Sequence, residues 1–482
     1  MVDECCRRGN AVLAGLLGGL GWSISRLVAE VNREMGAEYV SRSTASEWIN
    51  HFRVPRQPLP TVIAHVLSQA RGAPVAVSHL WPGVRASTRW VASDEGMQVP
   101  WDLQGTKELL NHWFTREGAM FDGDRRSFMA VSGAALTAPA WGYVAHMHET
   151  PKPGMFDQVL GSRYSATKVS PATVEYFQSL VGAFRRMDDL EGGSAGNLKQ
   201  VGNAIGQVTT CLKSGSFTDT KLAGSMVAVL AQLSQIGGWI AYDAEHDGLA
   251  QRYYRTGLHA AHNIGDRDLG AHILGSMSEQ AAYRNQPGDA VALAKAAVKT
   301  AQTTHPSVRA VVMARMANAH AVNGNAYGFQ TASAQVRELF EQARTSGDGP
   351  EYLYWLNSAM ADAVAGQALL LLTLQPGQPS PKSQLAEAAQ LLAPLVSRTG
   401  ADRPRDAFFH RAWLARAHVK RGDLHQGLSI AQTAVSQMGS IASPRTRKVL
   451  RDLDKDLANL RSGRNLREVL ELRHQLPPAL AA

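Results

Sequence analysis

Short polar side chains form a cluster early in the chain, within a segment of helical periodicity. Ala45, Trp48 and Ile49 recur at helical spacing and Ser43 can cap the helix, so the pattern predicts a helix from Ser43 to Asn50. Polar side chains on the N-terminal half and outer face of such a helix can bind base edges in the major groove of DNA. The side chains expected to face DNA are those of Arg42, Ser43, Thr44, Ser46, Glu47 and Asn50.

A loop rich in proline follows this helix. Arg53 and Arg56 lie in it, and Pro55, Pro58 and Pro60 prevent the helix from continuing. A guanidinium group can bind phosphate oxygens through two parallel hydrogen bonds. The two arginines are therefore expected to contact the phosphate backbone on either side of the groove.

Four further helices are predicted around this segment. Their boundaries are Val12 to Leu20 closed by Gly21, a run capped by Ser23 and ended by Gly36, Thr61 to Ala70, and a short helix near Val77 to Trp81. Together with the polar helix they give a five-helix domain of the helix-turn-helix kind over residues 9–82.

The order of these parts resembles lambda-repressor-like helix-turn-helix domains of the xenobiotic-response-element (XRE) type. It is also similar to the NsdA-like group of actinobacterial regulators of development and antibiotic production. The segments that carry this second resemblance are Gly21-Trp22-Ser23, Val40 to Thr44, Pro58-Leu59-Pro60, Gly72 to Val75, Trp101 to Thr106 and Asp124 to Met129. The resemblance extends to roughly residue 145 and implies a transcriptional regulator that binds operator DNA.

Composition and charge limit the fold class, the binding partners and the cellular location that we expect. The chain has 482 residues, 45% hydrophobic and only 7% aromatic, and alanine is abundant in its second half, which favours an all-α fold. The net charge is +8, and residues 1–90 hold ten arginines against six acidic residues, which permits nucleic-acid binding. Three cysteines, with no long apolar run at the N-terminus and no stretch of membrane-spanning length, predict a cytoplasmic protein without a membrane segment.

The second half of the chain reads as paired helices. A helical linker region is expected over residues 83–154 and a helical repeat domain over residues 155–482. Aligned helix ends before Gly248, Gly288, Gly324 and Gly422, each followed by a helix rich in alanine, resemble degenerate tetratricopeptide repeats in an α-solenoid. An armadillo-like solenoid and a helical bundle without true repeats remain open alternatives.

No sequence motif of an enzyme is present. The chain lacks a phosphate-binding glycine loop, a dinucleotide-binding turn, a nucleophile elbow and a zinc-protease motif, so neither enzymatic activity nor a cofactor is predicted. His146 and His148 are more typical of a helix end than of a metal site, so no metal is predicted. The residues expected to line a ligand or peptide groove in the repeats are Trp239, Tyr242, Tyr253, Tyr254, Tyr354 and Trp355, with His259, His262, His272, His320, His410 and His418 as further groove candidates.

These features predict a homodimeric regulator of double-stranded DNA. Two heads would bind an inverted repeat, while the repeat domain would supply dimer contacts, would sense a small-molecule, peptide or protein ligand, or would do both. A second interpretation follows from Ile49-Asn50-His51, which replaces the acidic residue and glycine usual after the helix-three tryptophan. On that interpretation the head is vestigial and the protein is an interaction scaffold that uses its repeat groove.

Overall fold

The protein is almost entirely helical. The computed structural model describes residues 9–35, 39–56, 59–71, 75–84, 99–114, 130–149, 167–378, 381–398, 403–438, 441, 443–460 and 462–481. These residues form 21 α-helices and two three-residue strands, so the predicted all-α class is confirmed. They belong to two compact units: a head unit that holds the described residues up to 84 with 130–131, and a repeat unit that holds the rest.

Five helices form the described part of the head unit. They are α1 (Ala11–Gly19), α2 (Ile24–Met35), α3 (Arg42–Asn50), α4 (Leu59–Arg71) and α5 (Val77–Leu80). All five contribute to one apolar core, in which Leu13, Leu27, Trp48, Ile63 and Trp81 are buried. Gly21 ends the α1 segment with a φ of 64°, a value that glycine adopts without steric cost.

The start of α3 differs from the sequence-based prediction. The N-cap is Ser41, whose Oγ accepts a hydrogen bond from the Thr44 amide at 3.2 Å, so Ser43 is not the cap. Asn32 on α2 explains the difference, because its side chain binds both the N–H and the C=O of Val40 and fixes the connector immediately before Ser41. The helix therefore begins one residue earlier than predicted, at Arg42.

The repeat unit begins with two helices from the predicted linker region and continues as helical hairpins. Its first elements are α6 (Leu103–Phe114), α7 (Ala134–His146), β1 (Thr167–Val169), α8 (Pro171–Glu191), α9 (Ala195–Ser214) and β2 (Gly215–Phe217), with β1 and β2 paired in parallel. The hairpins are α10 (Thr220–Asp243) with α11 (Asp247–Ile264), α12 (Arg267–Tyr283) with α13 (Pro287–Thr300), α14 (Pro306–Val322) with α15 (Ala326–Thr345), α16 (Ser358–Thr373) with α17 (Lys382–Arg398), α18 (Pro404–Arg421) with α19 (Leu424–Gln437), and α20 (Pro444–Ala458) with α21 (Arg467–Ala481).

The turns within the hairpins correct the alignment made from the sequence. Residues with positive φ lie at Glu245, Asn285, Gly324 and Gly422, which are 40, 39 and 98 residues apart. Gly248 and Gly288 are instead within the first turns of α11 and α13, so their assignment to the turn position was wrong. The sequence misled because an asparagine and a glutamate occupy a left-handed position that glycine usually fills.

Small residues allow close approach of the paired helices. A Cβ atom on Gly238 of α10 would lie 2.5 Å from the ring of Tyr254 on α11, and one on Gly366 of α16 would lie 2.8 Å from the Ala388 carbonyl oxygen on α17. Interhelical contacts this short are possible only where one partner lacks a side chain. At these two contacts between paired helices, small residues therefore allow the close packing that the sequence predicts.

The described part of the predicted linker region packs onto the repeat unit. Trp101 stacks on His259 of α11 with ring centroids 4.0 Å apart, and the guanidinium carbon of Arg255 lies 4.2 Å from the centroid of the Trp101 ring. Thr106 accepts a hydrogen bond from Asn263 at 2.7 Å. Residues 85–98, 115–129 and 150–154 of the predicted linker region lie outside the described residues.

The successive hairpins curve so that helices near the end of the repeat unit contact helices near its beginning. Helix α18 packs against α8, and α20 packs against α10, which encloses the interior of the repeat unit. One described helix, α10, is long and apolar enough to cross a membrane, but 72% of its apolar window is buried by its neighbours. α1 and α2 pass the same test only as a pair bent by 92°. In this structure α10 is the central core helix of the repeat unit.

Candidate functional sites

Helix α3 presents its N-terminal end to solvent. Arg42, Ser43 and Thr44 are exposed, whereas Ala45 and Trp48 on the opposite side have 0% and 3% of their surface exposed. This division follows from helical periodicity, because residues three apart lie on the same side. Of the eight residues expected to face DNA, Ser46 and Glu47 are half-buried and the other six are exposed.

Two contacts organise the C-terminal end of α3. Asn50 donates a hydrogen bond to Ser46 Oγ at 2.8 Å, which orients its amide along the helix. Glu47 Oε2 lies 3.4 Å from Arg53 Nε, so the charge of Arg53 is partly matched within the head unit. Arg42 and Arg56 have no carboxylate partner within 4 Å among the described residues, which leaves both guanidinium groups available.

Asn10 holds the end of α3, a role that sequence analysis missed. It is fully buried, its Oδ1 caps α1 through the Leu13 amide, and its Nδ2 donates to the Leu80 carbonyl at 2.9 Å. Its own backbone N–H donates to the Ile49 carbonyl at 2.6 Å. One residue thus links α1, α3 and α5, through its side chain to α1 and α5 and through its backbone to α3, and the only sequence signal was a cap residue before an apolar run.

The interior of the repeat unit contains a cavity of about 890 Å³, counting its open mouth. It lies where α8, α10, α12, α14 and α18 face one another inside the closed winding. Its wall combines aromatic side chains with an unusual density of charge. Four arginines and four acidic residues line it: Arg185, Arg315, Arg405, Arg445, Asp188, Asp189, Glu279 and Asp406.

Most of these charges form ion pairs within the chain. Arg405 donates to Asp188 Oδ2 at 2.6 Å, and Arg315 lies 2.6 Å from Glu279 Oε2. Arg445 donates to Asp243 Oδ1 at 2.9 Å just behind the wall. Three guanidinium groups, those of Arg315, Arg405 and Arg445, lie within 6 Å of the Trp239 ring. Burial of paired charges is tolerated only when each is hydrogen-bonded in good geometry.

The low-polarity surroundings shift the pKa values of several groups in this wall. Burial raises the pKa of Asp188 to about 7, although Arg405 opposes the shift. Burial alone would also raise the pKa of Asp243, but Arg445, Arg405 and the Gly193 amide hold that pKa below its usual value. Burial, assisted by nearby arginines, lowers the pKa of His272 to about 3, and burial lowers that of His410 to about 4. Both imidazoles are therefore neutral at pH 7.

The aromatic residues predicted for a groove divide into two groups. Trp239, Tyr354 and Trp355 line the cavity, as do His272 and His410 from the histidine set. Tyr253 and Tyr254 do not, because both are completely buried between helices of the repeat unit. Tyr242 is buried behind the wall, where Arg445 lies over its ring at 4.8 Å.

The other predicted histidines have structural contacts. His259 is fully buried against Trp101, and His262 lies 3.0 Å from the His146 carbonyl oxygen. His320 contacts Asn325 at the turn after α14, and His418 lies beside Asp423 at the end of α18. His146 binds the Gly142 carbonyl, and the described part of the chain contains no group of three residues suited to hold a metal.

Sequence analysis did not identify the charged residues of the cavity. Asp188, Arg405 and Arg445 are each nearly fully buried, and their partners lie about two hundred residues away in the chain. A weak local signal existed, because Arg405 and Arg445 each follow a proline that begins a helix, in Pro404-Arg405 and Pro444-Arg445. Neither dipeptide indicates that its arginine points inward.

Comparison with known proteins yields no relative: no protein-family model, no curated protein and no solved structure matches this chain.

Proposed function

We propose that this chain is a DNA-binding transcriptional regulator whose head unit reads operator DNA through α3. The exposed N-terminal end of α3 carries this proposal, because Arg42, Ser43 and Thr44 face solvent while Ala45 and Trp48 anchor the helix in the core. A rigid helix with polar side chains at its N-terminal end has the shape and chemistry that major-groove recognition requires. The resemblance to XRE-type domains agrees with this assignment.

The repeat unit, which we regard as a tetratricopeptide-like α-solenoid, would bind the effector and contribute to a homodimer. Its cavity is lined by aromatic side chains together with charged and polar groups, which can hold and orient a bound small molecule. The dimer is required by the size of the head, since one small module makes too few base contacts for specific binding.

A band-shift titration of the full chain against a library of genomic fragments tests the DNA-binding role. We expect a subset of fragments to bind at moderate salt at least about a thousand times more tightly than random DNA. Substitution of Ser43 and Asn50 by alanine should change which fragments bind, whereas Ser429→Ala on the repeat unit should not. Uniform weak binding to all fragments would refute specific recognition.

The scaffold interpretation is favoured by one observation in the head unit, the ion pair in which Glu47 offsets the charge of Arg53, and it predicts a different outcome. A chain whose head is vestigial would keep its cellular function when residues 1–90 are removed. The regulator proposed here would lose it. The closed winding supports a small ligand over a folded partner, because α18 and α20 meet α8 and α10 around the cavity.

A further inference from the structure

The wall of the cavity contains hydrogen-bond donors that the described residues satisfy only in part. Arg185 lines the cavity and donates to Gln232 Oε1 at 3.0 Å, but it has no carboxylate within 4 Å among the described residues. The Tyr352 hydroxyl has no hydrogen-bond partner in the described structure, although the residue is 9% exposed. A buried donor without an acceptor destabilises the folded protein, so such atoms commonly mark a place for a ligand or water.

His272 adds a third donor beside them. Its Nε2 lies 3.4 Å from Gln235 Nε2, which acts as the donor, so the ring proton of the neutral imidazole resides on Nδ1. That Nδ1 has no partner within the described residues, and the side chain is 5% exposed. The imidazole ring stacks on the phenol ring of Tyr352, with ring centroids 5.1 Å apart.

The carboxylates of the same wall are already engaged. Asp188 and Asp406 bind Arg405, and Glu279 binds Arg315. Asp189 accepts a hydrogen bond from the Tyr354 hydroxyl at 2.6 Å. Among the lining arginines, Arg185 is therefore the one without a carboxylate within 4 Å in the described part of the chain.

We propose that this cavity binds a small organic acid through its carboxylate. The carboxylate lies against Arg185, Tyr352 and His272, and the apolar body of the ligand lies against Trp239, Trp355 and Met360, which also line the cavity. A carboxylate accepts from a guanidinium and from neutral O–H and N–H donors at once, which satisfies all three groups. Two hydrogen-bond acceptors in the cavity, Asn318 Oδ1 and Asp188 Oδ1, have no donor partner among the described residues. They can accept a hydrogen bond from a donor group on the ligand.

This inference specifies the effector class of the function proposed above, but its test does not depend on DNA. Isothermal titration calorimetry of the full chain would use phenylacetate, its neutral isostere phenylacetamide and the cation phenethylamine. We expect phenylacetate to bind at least about tenfold more tightly than phenylacetamide, the loss expected for one charge-assisted contact. Equal binding of acid and amide, preference for the cation, or no heat with any of the three would overturn the proposal.

Variants at the cavity provide the matched comparison. Arg185→Gln should abolish the preference for the acid, and Tyr352→Phe should reduce it, because a hydroxyl donates more strongly to a carboxylate than to an amide. Arg186→Gln, one residue away on the exposed side of α8, should retain the full preference. Retained preference in Arg185→Gln would contradict the assigned contact. If Arg185→Gln fails to fold, Tyr352→Phe decides the question, because it removes only the hydroxyl.

The same carboxylate chemistry could belong to the C-terminus of a peptide. Acetyl-Gly-Phe and its C-terminal amide distinguish the two sources in the same calorimeter. Tighter binding of phenylacetate than of acetyl-Gly-Phe supports a small acid, and the reverse order overturns that choice of source. Loss of operator binding with retained phenylacetate binding would refute only the DNA-binding function.

Discussion

Arg445 Nε donates to Asp243 Oδ1 at 2.9 Å across 202 residues of chain, and the side chains are 2% and 0% exposed. The same carboxylate accepts from Ser443 Oγ at 2.9 Å, and its other oxygen accepts from the Gly193 amide at 2.8 Å. This one carboxylate therefore joins the start of α20 to the end of α10 and to the turn before α9. These hydrogen bonds hold the start of α20 against the end of α10, and so close the helical arrangement of the repeat unit.

Removal of either partner should strongly destabilise the repeat unit. Arg445→Met leaves Asp243 buried without its guanidinium partner, and we expect a loss of about 3 to 5 kcal/mol in the free energy of unfolding. Urea denaturation followed by circular dichroism measures it. Arg451→Met removes an arginine that is 43% exposed and 4.0 Å from Glu245, and should cost less than about 1 kcal/mol. Equal losses in the two variants would contradict a special role for the buried pair.

The packing of α10 against α11 predicts opposite effects for two glycine substitutions. Gly238→Ala places a methyl group 2.5 Å from the Tyr254 ring, and we expect destabilisation by about 1 to 3 kcal/mol. Gly206→Ala in α9 meets no atom within 4 Å and should stabilise by up to about 1 kcal/mol through helix propensity. Thermal unfolding of both variants checks the pair, and a change of the same sign in both would refute the steric explanation.

His272 should make stability depend on pH below 6.5. The folded state keeps its imidazole neutral down to a pKa of about 3, because burial disfavours the charged form and Arg315 and Arg185 are nearby. The unfolded chain binds a proton near pH 6.5, so stability is complete above that pH and falls by about 1.4 kcal/mol per pH unit below it from this residue. Urea denaturation at pH 7, 6 and 5 should show a shallower decline for His272→Gln, and parallel declines would show that the histidine is protonated when folded.

The ion pair of Glu47 with Arg53 refines the expected salt dependence of DNA binding. Arg42 and Arg56 have no described carboxylate partner, so removing either should flatten the slope of log affinity against log salt by about 0.9. Arg53→Gln should change the slope less, since Glu47 already offsets its charge. Glu47→Gln should strengthen binding, because it removes a negative charge beside the DNA, and should also change which sequences are preferred, because Glu47 is expected to face the groove. Arg451→Gln in the repeat unit is the control, and a slope change there equal to that of Arg56→Gln would refute the phosphate contacts.

Asn10 should stabilise the head unit through three connections. Asn10→Ala removes the cap of α1 and leaves the Leu80 carbonyl buried without its partner, and we expect a loss of about 2 to 3 kcal/mol. Hydrogen exchange of the full chain should show faster exchange in α1 and α5, whose hydrogen bonds to the side chain are lost, and unchanged exchange in α10. Protection lost equally in α10 would contradict the assignment.

Helical periodicity allowed much of the local structure to be predicted from sequence. The polar helix, the Ser23 cap, whose Oγ accepts from the Arg26 amide, and the left-handed Gly21 follow from spacing and residue type alone. The cap of α3 was assigned to Ser43 instead of Ser41 because the decisive contact comes from Asn32, nine residues away on another helix. Local patterns do not contain that information.

The cavity could be predicted only in part for the same reason. Trp239, Tyr354 and Trp355 were identified because aromatic residues in repeats are natural candidates for a groove. Tyr253 and Tyr254 were included wrongly, since residue type does not distinguish a wall from a core. The arginine–aspartate pairs form between helices that are far apart in the chain. Which of these helices come into contact depends on the packing angles of all the hairpins between them.

The closed winding has a consequence for how the repeat unit can vary and unfold. In an open array of repeats each unit touches only its neighbours, so a terminal unit can fray, be lost or be duplicated at a modest cost. Here the ends are joined through Arg445 with Asp243 and Arg405 with Asp188. Deletion of a hairpin between these residues would separate the partners of both ion pairs. The number of hairpins is therefore fixed by the closed arrangement. The repeat unit should unfold in a single cooperative transition.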